Sequence, residues 1–160
     1  MEMVDEKKSE LTELLQLVSF KIGEEEFGVD ILKVQEINRM LQITKVPNAP
    51  SFVKGVVNLR GRIIPVVDLR SRLGMPSIEF NSKTRIVVVE LENRTVGFIV
   101  DEVSEVLRIP RNITEAPPAM VANVEADYIT AVGKLEDRLL ILLDLDKIFN
   151  FEEEKLLEAV

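Results

Sequence analysis

Two runs of five residues, Ile63-Ile-Pro-Val-Val67 and Leu139-Leu-Ile-Leu-Leu143, contain no polar side chain. A strand with one wet face alternates apolar and polar residues, so these runs predict strands covered on both faces. Ile86 to Val89 adds a third such stretch. The cover comes from another part of the chain or from a partner docked in an apolar groove. Intramolecular cover is favoured, because Phe and Tyr total only eight residues and the core needs its aliphatics.

Each run belongs to a hairpin with a short polar turn. Val56 to Leu59 leads into Ile63 to Val67 across Arg60-Gly61, and Ile86 to Leu91 into Thr95 to Val100 across Glu92-Asn93. Ile129 to Leu135 leads into Leu139 to Leu143 across Glu136-Asp137. Ahead of them, Leu14 to Ile22 alternates at the period of a strand, with Leu14, Val18, Phe20 and Ile22 on one face. Gly23 and three glutamates make a turn, Phe27 to Val29 returns as a strand, and Asp30 is placed to cap a short helical turn in which Ile31 and Val34 share a face. Pro47 to Pro50 reads as a loop. Helix is predicted only after Asp68 and at the C-terminal end, where Asn150 with Glu153 resembles a capping box.

The halves of the chain repeat each other. Gly55 to Leu69 matches Ala131 to Leu145 without a gap at Val56, Leu59, Arg62, Asp68 and Leu69. Gly28, Val34 and Glu36 share their spacing with Gly97, Val103 and Glu105. The expectation is an all-β protein of two similar small lobes packed together, each too small to be stable alone. The boundaries read as a polar tail over 1–13, one domain over 14–153 with lobes near 14–80 and 81–150 whose terminal strands are free to cross over, and a helix over 151–160.

With 20 Lys and Arg against 28 Asp and Glu, the net charge of -8 opposes binding to a phosphate backbone. His, Cys and Trp are absent, which removes most side chains that act as bases, nucleophiles or zinc ligands near neutral pH. No phosphate-cradling loop, dinucleotide turn, nucleophile elbow or calcium loop is present. Asp144-Leu-Asp146 is the nearest metal-like pair, and a capping role for Asp144, matching Asp68 in the first half, is the stronger reading. The chain is therefore expected to be no enzyme and to need no metal or cofactor. The first residues lack the apolar core of a signal peptide, so a cytoplasmic protein is expected.

Charge is unevenly placed. Lys54 to Arg72 holds five basic residues and one acid, whereas Glu24 to Glu36 holds five acids and one Lys. Such clusters form solvated faces, or they meet in a contact between Glu36 and Arg60 at the hairpin tip, where an Arg can grip a carboxylate bidentately.

Four blocks carry a resemblance: Ile31 to Ile37, Val53 to Arg70 with its Asn-Leu-Arg-Gly core, Val96 to Val106, and Asp137 to Asp144. In this order they resemble the CheW family of chemotaxis coupling proteins from about Leu15 to Ala159. The resemblance implies a pair of five-stranded, SH3-like barrels without catalytic activity, bridging the cytoplasmic tips of chemoreceptors to the regulatory domain of the histidine kinase CheA. By position, Val34, Lys54 and Gly55 match family positions linked to kinase binding. Glu36, Arg60, Val103 and Val106 match positions linked to receptor contact and array assembly. Each also has a structural reading: the valines as core, and Gly55 as a place of close backbone approach. The rivals are a coupler in a pilus or surface-sensing array, a hydrolase or transferase working with carboxylates alone, and an OB-like nucleic-acid binder, opposed by charge and by aromatic scarcity.

Overall fold

The computed structural model describes residues 13–92, 94–117 and 127–158. Residues 1–12 of the expected tail, Asn93 of the second hairpin turn and the last two residues of the expected C-terminal helix lie outside the described residues. Among the described residues there are eleven strands and two α-helices: β1 (Leu14–Ile22), β2 (Glu25–Asp30), β3 (Val34–Arg39), β4 (Val53–Leu59), β5 (Arg62–Asp68), α1 (Leu69–Arg72), β6 (Arg85–Leu91), β7 (Arg94–Val100), β8 (Glu102–Pro110), β9 (Thr114–Glu115), β10 (Ile129–Lys134), β11 (Leu139–Leu143) and α2 (Phe151–Glu158). The fold is mainly β, as the sequence predicts, and all three hairpins form. Strands β3, β8 and β9 were not anticipated. The helical turn after Asp30 ends at Lys33, so Val34, expected in that turn with Ile31, opens β3. In β8, charged residues and an exposed middle blur the alternation.

The strands make two sheets, ordered β8-β1-β2-β11-β10-β9 and β3-β6-β7-β5-β4. The first has six strands instead of the expected five, because the two-residue β9 adds to its edge. In the second, Thr44 beyond the end of β3 bridges to Val56 in β4, so the chain links the sheet's two edges and curls it.

The sheets do not divide the chain near residue 80. The β1–β2 hairpin pairs in parallel with β11 and the β6–β7 hairpin in parallel with β5, so each half lends a hairpin to the other half's sheet. Parallel neighbours require a crossover, and here the exchange between halves supplies it. Matching the repeats, β8-β1-β2-β11-β10 has the same order as β3-β6-β7-β5-β4. Even the β-bulges correspond. Extra residues Gln35 and Ser104 interrupt β3 and β8, and Lys54 and Thr130 interrupt β4 and β10.

The exchange explains the apolar runs. Phe20, Val67, Val87, Phe98 and Leu143 meet in a central core between the sheets. From the same strands, Val66, Val88 and Ile99 point into a second core, and Leu17, Leu140 and Leu142 into a third. Each run is thus buried on both sides by its own chain. Ile63 and Leu139, repeat-equivalent residues next to the turns, are the exceptions at 63% and 61% exposed.

Caps behave as their residue types require. Asp68 accepts the N–H of Arg70 at 3.1 Å and Asp144 that of Asp146 at 3.0 Å, so the Asp144 pair is a turn device. Asp30 accepts the N–H of Leu32 at 2.9 Å. Asn150 and Glu153 exchange backbone N–H bonds at 2.8 and 3.0 Å, which completes the capping box. Glu153 also accepts from Arg72 at 2.6 Å, tying α2 to α1.

Candidate functional site

Val34 and Glu36 are two residues apart on β3, yet they serve opposite faces. The bulge at Gln35 sets Val34 opposite Val89 and Glu36 opposite Val88. Cross-strand partners point to the same side, so Val34 packs against the central core with Val89, and Glu36 turns toward the face of Val88. On β8 the bulge at Ser104 places Val103 opposite Phe20 and Val106 opposite Val18. Both valines therefore share the central-core face. Val103 is half-buried against that core, while Val106, on an edge strand, is 56% exposed.

Lys54 occupies the bulge of β4 and is exposed, its Nζ 5.8 Å from the centre of the half-exposed Phe80 ring. Gly55 is buried. Thr44 and Val56 exchange backbone hydrogen bonds at 2.9 and 2.8 Å, which brings the Thr44 carbonyl against Gly55. A Cβ there would collide with that carbonyl oxygen and stand 2.6 Å from Ile43 Cγ2. Close backbone approach accounts for this glycine.

Arg60 and Gly61 form the two-residue β4–β5 turn with φ of 51° and 86°. Positive φ at both central residues matches the twist of a hairpin. Asn58 Oδ1 accepts the Gly61 N–H at 2.9 Å and holds the turn. From it, Arg60 Nη2 donates to Glu36 Oε2, and Asn38 Nδ2 donates to the other oxygen, Oε1, at 2.7 Å. The Arg60 side chain is 74% exposed and that of Glu36 only 22%. Of the two readings of the acidic and basic clusters, the contact forms here, with an anchored carboxylate and an arginine facing solvent.

Five of the seven expected positions fall into two groups, with Lys54 and Gly55 apart from both at the β4 bulge. Glu36 and Arg60 meet at one rim of the five-stranded sheet, whereas Val34, Val103 and Val106 belong to the faces turned toward the central core. Asn38 and Asn58 were missed as site residues. Asn58 had a signal in its place two residues before a turn; Asn38 had none.

A second charged cluster lies on the six-stranded sheet. Arg138, the repeat equivalent of Arg62, donates to the buried Glu26 and, at 3.3 Å, to Glu105, the equivalent of Glu36. Burial pushes the Glu26 carboxyl up, but hydrogen bonds from Arg138 and Ser19 outweigh it and hold the group below its usual range. A cleft of about 610 Å³ opens between the start of β1, the Asp30 turn and the Asp144 turn, and none of the seven expected positions lines it. Its Lys33 pairs with Asp146 at 2.8 Å and its Arg111 with Glu13 at 3.3 Å. Among the described residues, no group of three His, Cys, Asp or Glu side chains could hold a metal ion. No helix among them is long and apolar enough to cross a membrane.

The family model of the CheW-like domain matches residues 16–153, the whole of both sheets but for the first two residues of β1. The chain belongs to the CheW-like domain family. It is 39% identical over 145 residues to a chemotaxis protein CheW of Klebsiella aerogenes, covering 91% of this chain and 87% of that one. A chemotaxis protein CheW of Thermotoga maritima is 38% identical over 135 residues, covering 84% and 87%. Among solved structures, the scaffolding protein TtCheW from Thermoanaerobacter tengcongensis superposes with a TM-score of 0.79 at 36% identity, covering 88% of this chain and 95% of that one. The CheW-like fold therefore accounts for the two sheets, and a role as a chemotaxis scaffold follows from the family.

Proposed function

We propose that this protein is a non-catalytic adaptor that couples the cytoplasmic tips of chemoreceptors to the regulatory domain of the histidine kinase CheA. Val34, Lys54 and Gly55 serve the kinase side, and Glu36, Arg60, Val103 and Val106 the receptor side and array assembly. The adaptor works in the cytoplasm, at the inner face of the membrane where receptor tips cluster. The observation that carries the reading is Arg60, presented to solvent from a held turn while its carboxylate partner is anchored. An exposed arginine whose geometry is set in advance suits a docking rim, because little of its freedom is lost on binding. Each pairwise contact can be weak, since an array holds its members at high effective concentration.

The test is a reconstitution of receptor-bearing membranes, CheA and this protein. Kinase autophosphorylation is expected to respond to a receptor ligand only when all three are present. Full receptor control without this protein would overturn the reading.

A further inference from the structure

Arginine on a hairpin tip has many rotamers, and a carboxylate on an edge strand has several more. Neither Glu36 nor Arg60 is locked by the apolar core. Two asparagines supply what the core does not. Asn38, two residues beyond Glu36 on the same strand, donates Nδ2 to Glu36 Oε1 at 2.7 Å and leaves Oε2 to Arg60. Asn58 accepts the Gly61 N–H at 2.9 Å and so fixes the turn in which Arg60 takes a positive φ. One asparagine sets the acid and the other sets the base.

We propose that Asn38 and Asn58 are positioning residues that pre-set the Glu36–Arg60 pair before any partner arrives. Its bearing on coupling rests on the reading of Arg60 as a receptor contact; the positioning itself does not. A carboxylate held at one oxygen accepts from a guanidinium at the other in one orientation. The remaining N–H groups of Arg60 then face solvent, where a partner carboxylate could accept them. Ordering these side chains in the free protein removes that cost from binding.

The experiment uses the full-length protein labelled with ¹⁵N, with the Arg60 signals assigned by their loss in Arg60→Lys. Hindered rotation of the Arg60 guanidinium reports the ion pair, and hydrogen exchange of the Gly61 amide reports the turn. Asn38→Ala is expected to speed guanidinium rotation, and Asn38→Gln, which keeps a donor, to restore part of the hindrance. Asn58→Ala is expected to speed Gly61 exchange. Melting curves should stay close to that of the unsubstituted protein, which separates positioning from a structural role. Unchanged rotation in Asn38→Ala, or unchanged Gly61 exchange in Asn58→Ala, would overturn the proposal. Binding to receptor membranes should weaken roughly threefold to tenfold in either alanine variant, the scale of one hydrogen bond. A loosened pair with undiminished receptor binding would uphold the positioning and count against Arg60 as the receptor contact.

Discussion

Arg70 grips Asp101 through Nε at 2.9 and 3.1 Å and through Nη2 at 2.7 Å, and the same carboxylate accepts the backbone N–H of Gly23 at 2.7 Å. Arg70 stands on α1 beside the five-stranded sheet, and Gly23 in the β1–β2 turn of the six-stranded one. The two residues therefore tie the sheets together outside the apolar core. Burial pushes the Asp101 carboxyl up, but Arg70 and the Gly23 N–H outweigh it and hold the group below its ordinary value of 3.8.

This clamp has a defined pH dependence. Because the folded-state pKa of Asp101 lies below the unfolded one, its contribution is complete above the ordinary Asp value and disappears as pH falls through the folded value. Glu26 has the same sign. Arg70→Met is expected to cost roughly 1.5–3 kcal/mol near neutrality, the range for hydrogen bonds to a charged group. The loss should shrink as pH drops below about 4, where Asp101 takes up its proton in the variant before the unsubstituted protein does. Urea denaturation between pH 2 and pH 7 checks both statements; a loss independent of pH would refute the linkage.

Gly55 and Gly61 are expected to respond differently to alanine. Gly55→Ala drives a Cβ into the Thr44 carbonyl, a backbone atom with nowhere to move, and should cost about 1–3 kcal/mol or more. At Gly61 a Cβ meets nothing within 4 Å, so Gly61→Ala suffers only from its φ of 86°, at about 1–2 kcal/mol, and Gly61→Asn should suffer less. Chemical denaturation of the three variants gives the order directly. Loss of kinase binding in Gly55→Ala would have to exceed its loss of folded protein before a contact role is assigned.

Val103 and Val106 separate packing from contact. Val103→Asp places a charge against the central core and should destabilise by roughly 2 kcal/mol or more. Val106→Asp, at a side chain 56% exposed, should leave stability within about 0.5 kcal/mol and weaken receptor coupling. Paired melting and coupling assays decide; undiminished coupling in Val106→Asp would remove that residue from the site.

Reversal of the rim pair gives a further check. Arg60→Glu should change stability by only about 0–1 kcal/mol, as for an exposed ion pair, while reducing receptor coupling. Adding Glu36→Arg should restore part of the coupling if the two act together. A melting curve that collapses in the single variant would make the pair structural.

The exchanged hairpins predict how the halves behave apart. Fragments cut between Glu79 and Phe80 each carry a hairpin without its sheet, so neither should unfold cooperatively alone, and mixing them should recover a cooperative transition. Independent folding of either fragment would contradict the topology.

The sequence by itself determined the β class, the three hairpins, both helices and the caps, because strand alternation, turn residues and capping residues act over a few positions. It also pointed to the duplication, through matched spacing, but for Glu36 and Arg60 it left a solvated face and a mutual contact both open, and the structure decided for the contact. Only the tertiary structure decided where the lobes divide. Local patterning records that a strand is apolar on both faces, and it carries no information on which distant strand provides the cover. Each half could have kept its own hairpin or traded it, and the parallel pairs β2–β11 and β5–β7 settle that as a trade. The bulges at Gln35 and Ser104 were hidden for the same reason. One unpaired residue reverses the face of everything beyond it, so Val34 parts from Glu36, and Val103 joins Val106, only once the partner strand sets the register.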